Sequence, residues 1–381
     1  MKLQDIILKL EDASNNPKRL MQEYIAQGDK VVGCLPVYTP EELVHAAGMV
    51  PMGIWGGNIE LNEAKQYFPA FACFFLFFVF FFMQSIMENA IRGSYKGLSA
   101  AIIPCMCDTL ICISQNWKSG IKDIPMIPLV YPQNRKLQSG IDYLVTEFEG
   151  VKAKLEGICG HEITEEKINE SIEIYNEHRK ALQEFIELVP DYLNTITPYV
   201  RSTVMKSSHF MKKEEHTALV KEFNEILKTM PKEKFKGKKI LLTGIILDEK
   251  EILDVLSEND MAVAYDNLAH ETRQFRTLVP DGDNALQRLA KQWSLIEGCS
   301  LAYDPQKYRG KMIAEDAQRL GIDGVIYALM KFCDPEEYDY PIVKKDLEQA
   351  GIPELYIEVE QQSVNVEQIR TKIQTFADII A

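Results

Sequence analysis

The chain has 381 residues, of which 46% are hydrophobic and 26% charged, and a formal charge of −14 at pH 7. The length suggests two or three domains of ordinary globular composition, and the acidic balance excludes nucleic acid as the main partner, since phosphate binding needs a basic face. Eight cysteines in so long a chain exclude a disulfide scaffold and fit a cytoplasmic protein with reduced thiols, most of them simply buried.

Met1–Gly28 reads as a helical segment, polar and amphipathic, without the small-residue cleavage site of a leader. Lys30–Cys34 predicts a short strand. Thr39-Pro40-Glu41-Glu42 follows as a capping box with proline at the first helical position, opening a helix that runs to Gly48. Val50–Trp55 predicts a second strand, broken by Trp55-Gly56-Gly57. Tyr67–Met83 is apolar throughout and almost all phenylalanine from Phe74 to Phe82. It contains Pro69 and falls short of the roughly 20 residues of a spanning helix. It therefore predicts a buried segment and no membrane partner, and an aggregation hazard if exposed. A helix over Met83–Lys96, a strand at Ala101–Ile103, a helix from Asp108 and a strand at Met126–Val130 complete a first α/β domain, residues 29–137. Alternating strands and helices imply a parallel sheet.

Residues 138–235 differ. Ile141, Leu144, Phe148, Val151 and Leu155 recur at helical spacing, as do Ile168, Ile172 and then Ala181, Phe185, Leu188, with few strand signals. This predicts a helical region whose charge runs, such as Lys212-Lys213-Glu214-Glu215, are solvated faces. Residues 236–381 return to α/β patterning. Strands are expected at Ile240–Thr243, Ala262–Tyr265, Gly324–Met330 (within the strand-like run Asp323–Cys333) and Leu355–Val359, and helices at Glu249–Ser257, Leu286–Trp293, Val343–Ala350 and Val366–Phe376. With residues 1–28 as an N-terminal helical segment, the expected fold class is α/β: two Rossmann-like parallel-sheet domains with a helical insertion between them.

Two cysteines stand out by context. In Ala100–Lys118 an apolar strand runs into Pro104-Cys105-Met106-Cys107-Asp108, where Asp108 is a good N-cap for the helix that follows. Near the other end, a buried strand runs into Cys333-Asp334-Pro335-Glu336-Glu337, again a strong helix start. Cys107 and Cys333 thus each lie at a strand-to-helix junction, where backbone N–H groups and the positive end of a helix dipole favour a thiolate or an anionic cluster. In two α/β units such junctions can face one another across the crevice at the carboxyl ends of the strands. By spacing alone the eight cysteines read as buried structural thiols, for there is no C-x-x-C run and the C-x-C of Cys105 and Cys107 is a weak signal. Cys34 ends a strand but is separated from its helix by Leu-Pro-Val-Tyr, Cys112 and Cys159 look like core or helix positions, and Cys299 a turn. The sequence holds no phosphate-binding glycine loop and no G-x-S-x-G nucleophile. His270-Glu271-Thr272-Arg273 follows a strand end and either faces the crevice or, as the blander reading has it, starts a capped helix with surface charges.

Assembled, the motifs resemble the 2-hydroxyacyl-CoA dehydratase family, which includes subunits of the benzoyl-CoA reductase type. The likeness lies in GCLPVYTPEELVHAAGMVPMGIWGG (Gly33–Gly57), FPAFAC (Phe68–Cys73), IPCMCDTLICISQNWK (Ile103–Lys118), LAHETRQFR (Leu268–Arg276), SLAYDP (Ser300–Pro305), KFCDPEEYDYP (Lys331–Pro341) and QIRTKIQTF (Gln368–Phe376). It covers nearly the whole chain and is greatest to the smaller, β-type subunits of dehydratases acting on (R)-2-hydroxyisocaproyl-CoA or phenyllactyl-CoA.

The resemblance implies one [4Fe–4S] cluster held by Cys73, Cys107 and Cys333. It implies two partners, a larger α-type subunit that binds most of the acyl-CoA substrate and a separate ATP-hydrolysing iron–sulfur activator. In the family, one electron from that activator makes a ketyl radical that expels hydroxide, so that an (R)-2-hydroxyacyl-CoA yields a 2-enoyl-CoA in anaerobic amino-acid fermentation. A β-type subunit would then relay the electron and carry none of the acid–base residues. The departure from the pattern is the Phe74–Phe82 run, which stands where the family has a short Ser- or Met-containing helix start. It bears on Cys73, with Cys105 as the candidate substitute. Two alternatives share the motifs: a benzoyl-CoA-reductase-type subunit, and a scaffold subunit without a cluster.

Overall fold

The computed structural model describes residues 2–57, 59–67, 81–359 and 366–380. Its framework is two four-stranded sheets in which every strand pair is parallel. The first is built from β1 (Val31–Cys34), β2 (Val50–Gly53), β3 (Ala100–Cys105) and β4 (Met126–Val130), in the order β2-β1-β3-β4. The second is built from β5 (Lys238–Gly244), β6 (Met261–Leu268), β7 (Gly324–Met330) and β8 (Glu354–Val359), in the order β6-β5-β7-β8. The two sheets therefore share one topology. In each the order reverses between the first strand and the third, and the crevice at such a switch point is where open α/β sheets bind ligands.

The helices, in chain order, begin with α1 (Leu3–Asn15), α2 (Pro17–Ala26), α3 (Glu41–Ala46), α4 (Phe81–Ile91) and α5 (Asp108–Gly120). Between the sheets come α6 (Gln138–Cys159), α7 (Glu165–Leu188), α8 (Pro198–Ser207) and α9 (Lys213–Thr229). Around the second sheet run α10 (Lys250–Glu258), α11 (Thr272–Phe275), α12 (Ala285–Leu295), α13 (Arg309–Leu320), α14 (Asp334–Gln349) and α15 (Val366–Ile379). The central strands β3 and β7 are buried along their whole length, as apolar strands covered on both faces should be. One core joins Val31 and Ile102 of the first sheet to Ile240 and Ile326 of the second. A second core sets Ile6 and Leu10 of α1 and Phe185 and Phe223 of the insertion helices against Ala262 and Ala264 of β6. Among the described residues no helix is long and apolar enough to cross a membrane.

Several local expectations are corrected. The Thr39 capping box does not form: Thr39 Oγ1 donates to Leu35 O at 2.6 Å, the helix starts at Glu41, and Glu41 and Glu42 are spent on buried ion pairs. Lys213 is not a solvated charge but is buried, 2.8 Å from Glu41. The strand before Cys333 ends at Met330, as the expected bounds Gly324–Met330 had it and short of the full run to Cys333, and Phe332 then turns the chain at φ 64°, a left-handed conformation that costs a bulky residue about 1–2 kcal/mol. Cys112 lies on a helix as expected, but exposed rather than in a core. Helix α13 carries no expected counterpart. The 68–80 segment, with Cys73 and most of the phenylalanine run, lies outside the described residues.

Candidate functional site

The two junctions are alike in detail. Asp108 and Asp334 are not the caps: each occupies the first helical position, and the cysteine before it is the N-cap. The strands end so sharply that Cys107 (φ −139°, ψ 169°) and Cys333 (φ −85°, ψ 86°) are the last non-helical residues, directly on the helix N-termini. Cys107 is half-buried and Cys333 buried. The Cys107 side chain makes no capping hydrogen bond of ordinary length, yet the N–H groups of Leu110 and Thr109 stabilise its thiolate. They do not overcome desolvation, which pushes that thiol up together with Asp108 and Asp334. Desolvation likewise pushes Cys333 up, followed by Glu336 and by Cys107 itself. Asp334, next to Cys333, thus acts on Cys107, and Cys107 on the Cys333 thiol.

The remaining cysteines do not join this pair. Cys105 is buried and donates to Ile103 O at 3.7 Å, and Cys34 does the same to Val32 O at 3.7 Å. Cys112 is exposed, and Cys159 donates to His161 O at 3.2 Å. Among the described residues no three His, Cys, Asp or Glu side chains are gathered as a metal site. Of the three expected ligands, Cys107 and Cys333 stand at corresponding helix N-termini, while Cys73 lies outside the described residues. The chain leading to it is anchored by Glu88 of α4, whose carboxylate accepts from the N–H groups of Ala64 (2.7 Å), Asn62 (3.1 Å) and Glu63 (3.2 Å) and from Arg92 (2.7 Å). Despite desolvation these donors hold Glu88 below the usual carboxylate range.

Behind Cys333 lies a polar cluster that sequence reasoning missed. Glu336, on the first turn of α14, accepts from Tyr327 Oη (2.5 Å), Ser300 Oγ (2.6 Å), Arg309 (2.8 Å) and Arg273 (3.2 Å). Against the desolvation of so buried an acid, Arg309 and Arg273 hold it down to about 2. Arg273 also donates to Asn267 O, to Gly244 O and, at 3.4 Å, to Cys299 Sγ, which accepts a second bond from Tyr38 Oη at 3.1 Å. Against desolvation, Arg273, Tyr38 and the Leu301 N–H hold the Cys299 thiol below its ordinary value. Gly244 (φ 150°) is needed for β5 to lie this close to β7, for a Cβ there would meet Ala328 O at 2.2 Å. A cleft of about 180 Å³ opens beside the cluster, lined by Met106, Gln133, Cys299, Arg309, Pro335 and Asp339. The reading of 270–273 as surface charges is overturned: His270, Glu271, Thr272 and Arg273 are all buried, because the chain after β6 turns inward under α8. The one available signal was the crowding of charge directly after an apolar strand.

Two further buried clusters flank the site. Arg201 of α8 pairs with both Asp266 and Glu271, while Lys206 lies 2.5 Å from Asp248 and Trp55 Nε1 donates to Asp248 at 3.0 Å. Burial pushes Glu271 up to about 7 and Glu249, beside Asp248, up to about 8. Farther off, His178 and His216 share a hydrogen bond of 3.0 Å.

Residues 36–380 match the family described as "2-hydroxyglutaryl-CoA dehydratase, D-component". The chain is 45% identical over 97% of its length, and 97% of the relative's, to the (R)-phenyllactyl-CoA dehydratase beta subunit of Clostridium sporogenes. It is 43% identical to the lactoyl-CoA dehydratase subunit beta of Anaerotignum propionicum, with 100% of each chain covered. It is 39% identical to the (R)-2-hydroxyglutaryl-CoA dehydratase subunit beta of Acidaminococcus fermentans, over 99% of this chain and 100% of the relative. The chain belongs to the 2-hydroxyglutaryl-CoA dehydratase D-component family, and the resemblance read from its motifs is borne out.

Proposed function

We propose that the chain is the β-type, iron–sulfur subunit of a 2-hydroxyacyl-CoA dehydratase, a hydro-lyase that works as a heteromer with a larger α-type subunit. Three relatives matched along nearly their whole length, each a dehydratase beta subunit by name, support the assignment to that class. The cofactor is a [4Fe–4S] cluster, and Cys73, Cys107 and Cys333 are its ligands. The observation that carries this is the placement of Cys107 and Cys333 as N-caps at corresponding junctions, each after the third strand of its sheet. Two soft sulfur donors at two helix N-termini suit an anionic iron–sulfur group. The high affinity of these buried thiols for their protons is met when iron replaces them.

Bound there, such a cluster supplies storage for a single electron, delivered by an ATP-hydrolysing activator and destined for the partner subunit. The chain's own residues hold and shield. Met106 and Pro335 line the cleft beside the junctions, and Glu336 fixes the first turn on which Cys333 stands. No residue here is assigned as acid, base or acyl-CoA ligand; those belong to the α-type subunit.

Iron analysis of anaerobically prepared variants tests the assignment. Cys107→Ala and Cys333→Ala should lose iron and the visible absorption of the cluster, while Cys159→Ala and Cys299→Ala keep both. Equal iron in all four would overturn the ligand set, and an iron-free, well-folded wild type would leave a scaffold subunit as the reading.

A further inference from the structure

His270 and Glu271, which follow β6, are both buried. His270 Nδ1–H donates to Ile245 O at 3.1 Å. A carbonyl can only accept, so Nδ1 keeps its hydrogen and Nε2 of the neutral ring is a bare acceptor. Nε2 has no hydrogen-bond partner among the described residues, and it faces Glu271 Oε1 at 3.4 Å. Two lone pairs set against each other in a dehydrated site are unfavourable, and one proton between them removes the conflict. We propose that Glu271 holds that proton in the folded chain and offers it to His270 Nε2, so that the pair latches α8 to the end of β6 at low pH and loosens as pH rises. The inference goes beyond the cluster reading and does not depend on it.

The neighbours decide which acid is protonated. Arg201 of α8 pairs with both Asp266 and Glu271. Asp266 accepts in addition from the N–H groups of Leu268 at 2.8 Å and Thr272 at 3.2 Å, so Asp266 is the anion that Arg201 neutralises. Glu271 is then the acid without a cation of its own. The other charges around the pair are already matched: Lys206 with Asp248, Lys213 with Glu41, Arg179 with Glu42 and Arg273 with Glu336. Glu249, beside Asp248, adds no cation, and burial keeps His209 and His178 neutral. Burial likewise pushes Glu271 up to about 7 and holds His270 down to about 4, which makes the acid the donor and the imidazole the acceptor. With the proton gone, two carboxylates share one guanidinium, and the joint between α8 and β6 carries an unpaired buried charge. An opened joint would release the proton near the ordinary 4.5, the closed one near 7. The closed form is therefore favoured at low pH, and its advantage falls by up to about tenfold per pH unit across that window. Because α8 also brings Lys206 to Asp248, which holds Trp55 of the first domain, the latch lies where the helical region meets both α/β domains.

Amide hydrogen exchange of the full, anaerobically prepared chain tests this. Glu271→Gln places an amide N–H where the acid proton stood, keeps an oxygen for Arg201 and does not titrate. From pH 5 to pH 7, after correction for intrinsic rates, exchange over residues 198–207 and 268–276 should rise in the wild type by up to about tenfold per pH unit more than in Glu271→Gln. Comparing the two chains cancels the titrations of His216 and Glu249, which both retain. An equal rise in both overturns the inference. If Glu271→Gln does not fold, infrared spectra of Glu249→Gln with isotope-labelled glutamate decide the matter. A protonated glutamate carbonyl band present at pH 6.5 and gone at pH 8.5 supports the latch, and its absence at pH 6.5 overturns it.

Discussion

His216 gives the chain a built-in sensitivity to acid. It is wholly buried on α9, where its Nε2–H donates to Val204 O at 3.0 Å and its Nδ1 accepts from His178 Nε2–H at 3.0 Å. The carbonyl can only accept, so the neutral tautomer is fixed and a second proton has no acceptor. Burial, with Lys213 adding to it, holds His216 down to about 3 against an ordinary 6.5, and His178 shifts the same way, through burial and its neighbours His216 and Lys213. The unfolded chain takes up a proton below pH 6.5 that the folded chain refuses until about pH 3, so stability falls as pH falls through that window. At pH 5, one and a half pH units below the unfolded value, the loss is about 2 kcal/mol for His216, at 1.36 kcal/mol per unit. The check is urea unfolding at pH 7 and pH 5 for the wild type and for His216→Gln, which offers one donor and one acceptor without titrating. The variant should lose about 2 kcal/mol less than the wild type between the two pH values. Equal losses would refute the assignment of the acid sensitivity to this pair.

Glu249 titrates with the opposite sign. A carboxyl raised from 4.5 to about 8 by burial and Asp248 loses stability as pH rises through that window, because the folded chain holds a proton the unfolded chain has released. Glu249→Gln should therefore melt near the wild type at pH 5 and above it at pH 8, and an advantage that did not grow with pH would contradict this. Arg201→Met leaves Asp266 and Glu271 buried without their cation, and should cost about 3–5 kcal/mol in denaturant unfolding; a loss under about 1 kcal/mol would mean water reaches the site.

The parts of the fold that were legible in the sequence are those where local pattern and burial agree. β4 and β7 fall on the apolar runs at 126–130 and 324–330, and the periodicity of Ile141 to Leu155 is that of α6. Caps were legible to within a residue, since Asp at a helix start fits the cap and the first turn alike; the steep end of the strand made Cys107 and Cys333 the caps. The junction cysteines were found because strand, cysteine and helix start are contiguous in sequence. Arg273, Arg309, Glu336 and Cys299 were not, because their meeting depends on four separated segments folding around one carboxylate. Burial of charge is the recurrent surprise: Lys213 and Arg273 read as surface residues until a partner distant in sequence, Glu41 and Glu336 respectively, is placed beside each.

The central claim is that two junction thiols of this chain, with Cys73, hold an iron–sulfur cluster. The most direct measurement is iron and acid-labile sulfide per chain on protein prepared and kept without oxygen, with its visible spectrum. The account predicts about four of each, as one [4Fe–4S] cluster requires, and a brown protein whose colour is lost in Cys107→Ala and in Cys333→Ala. A well-folded, colourless chain with neither iron nor sulfide would contradict it.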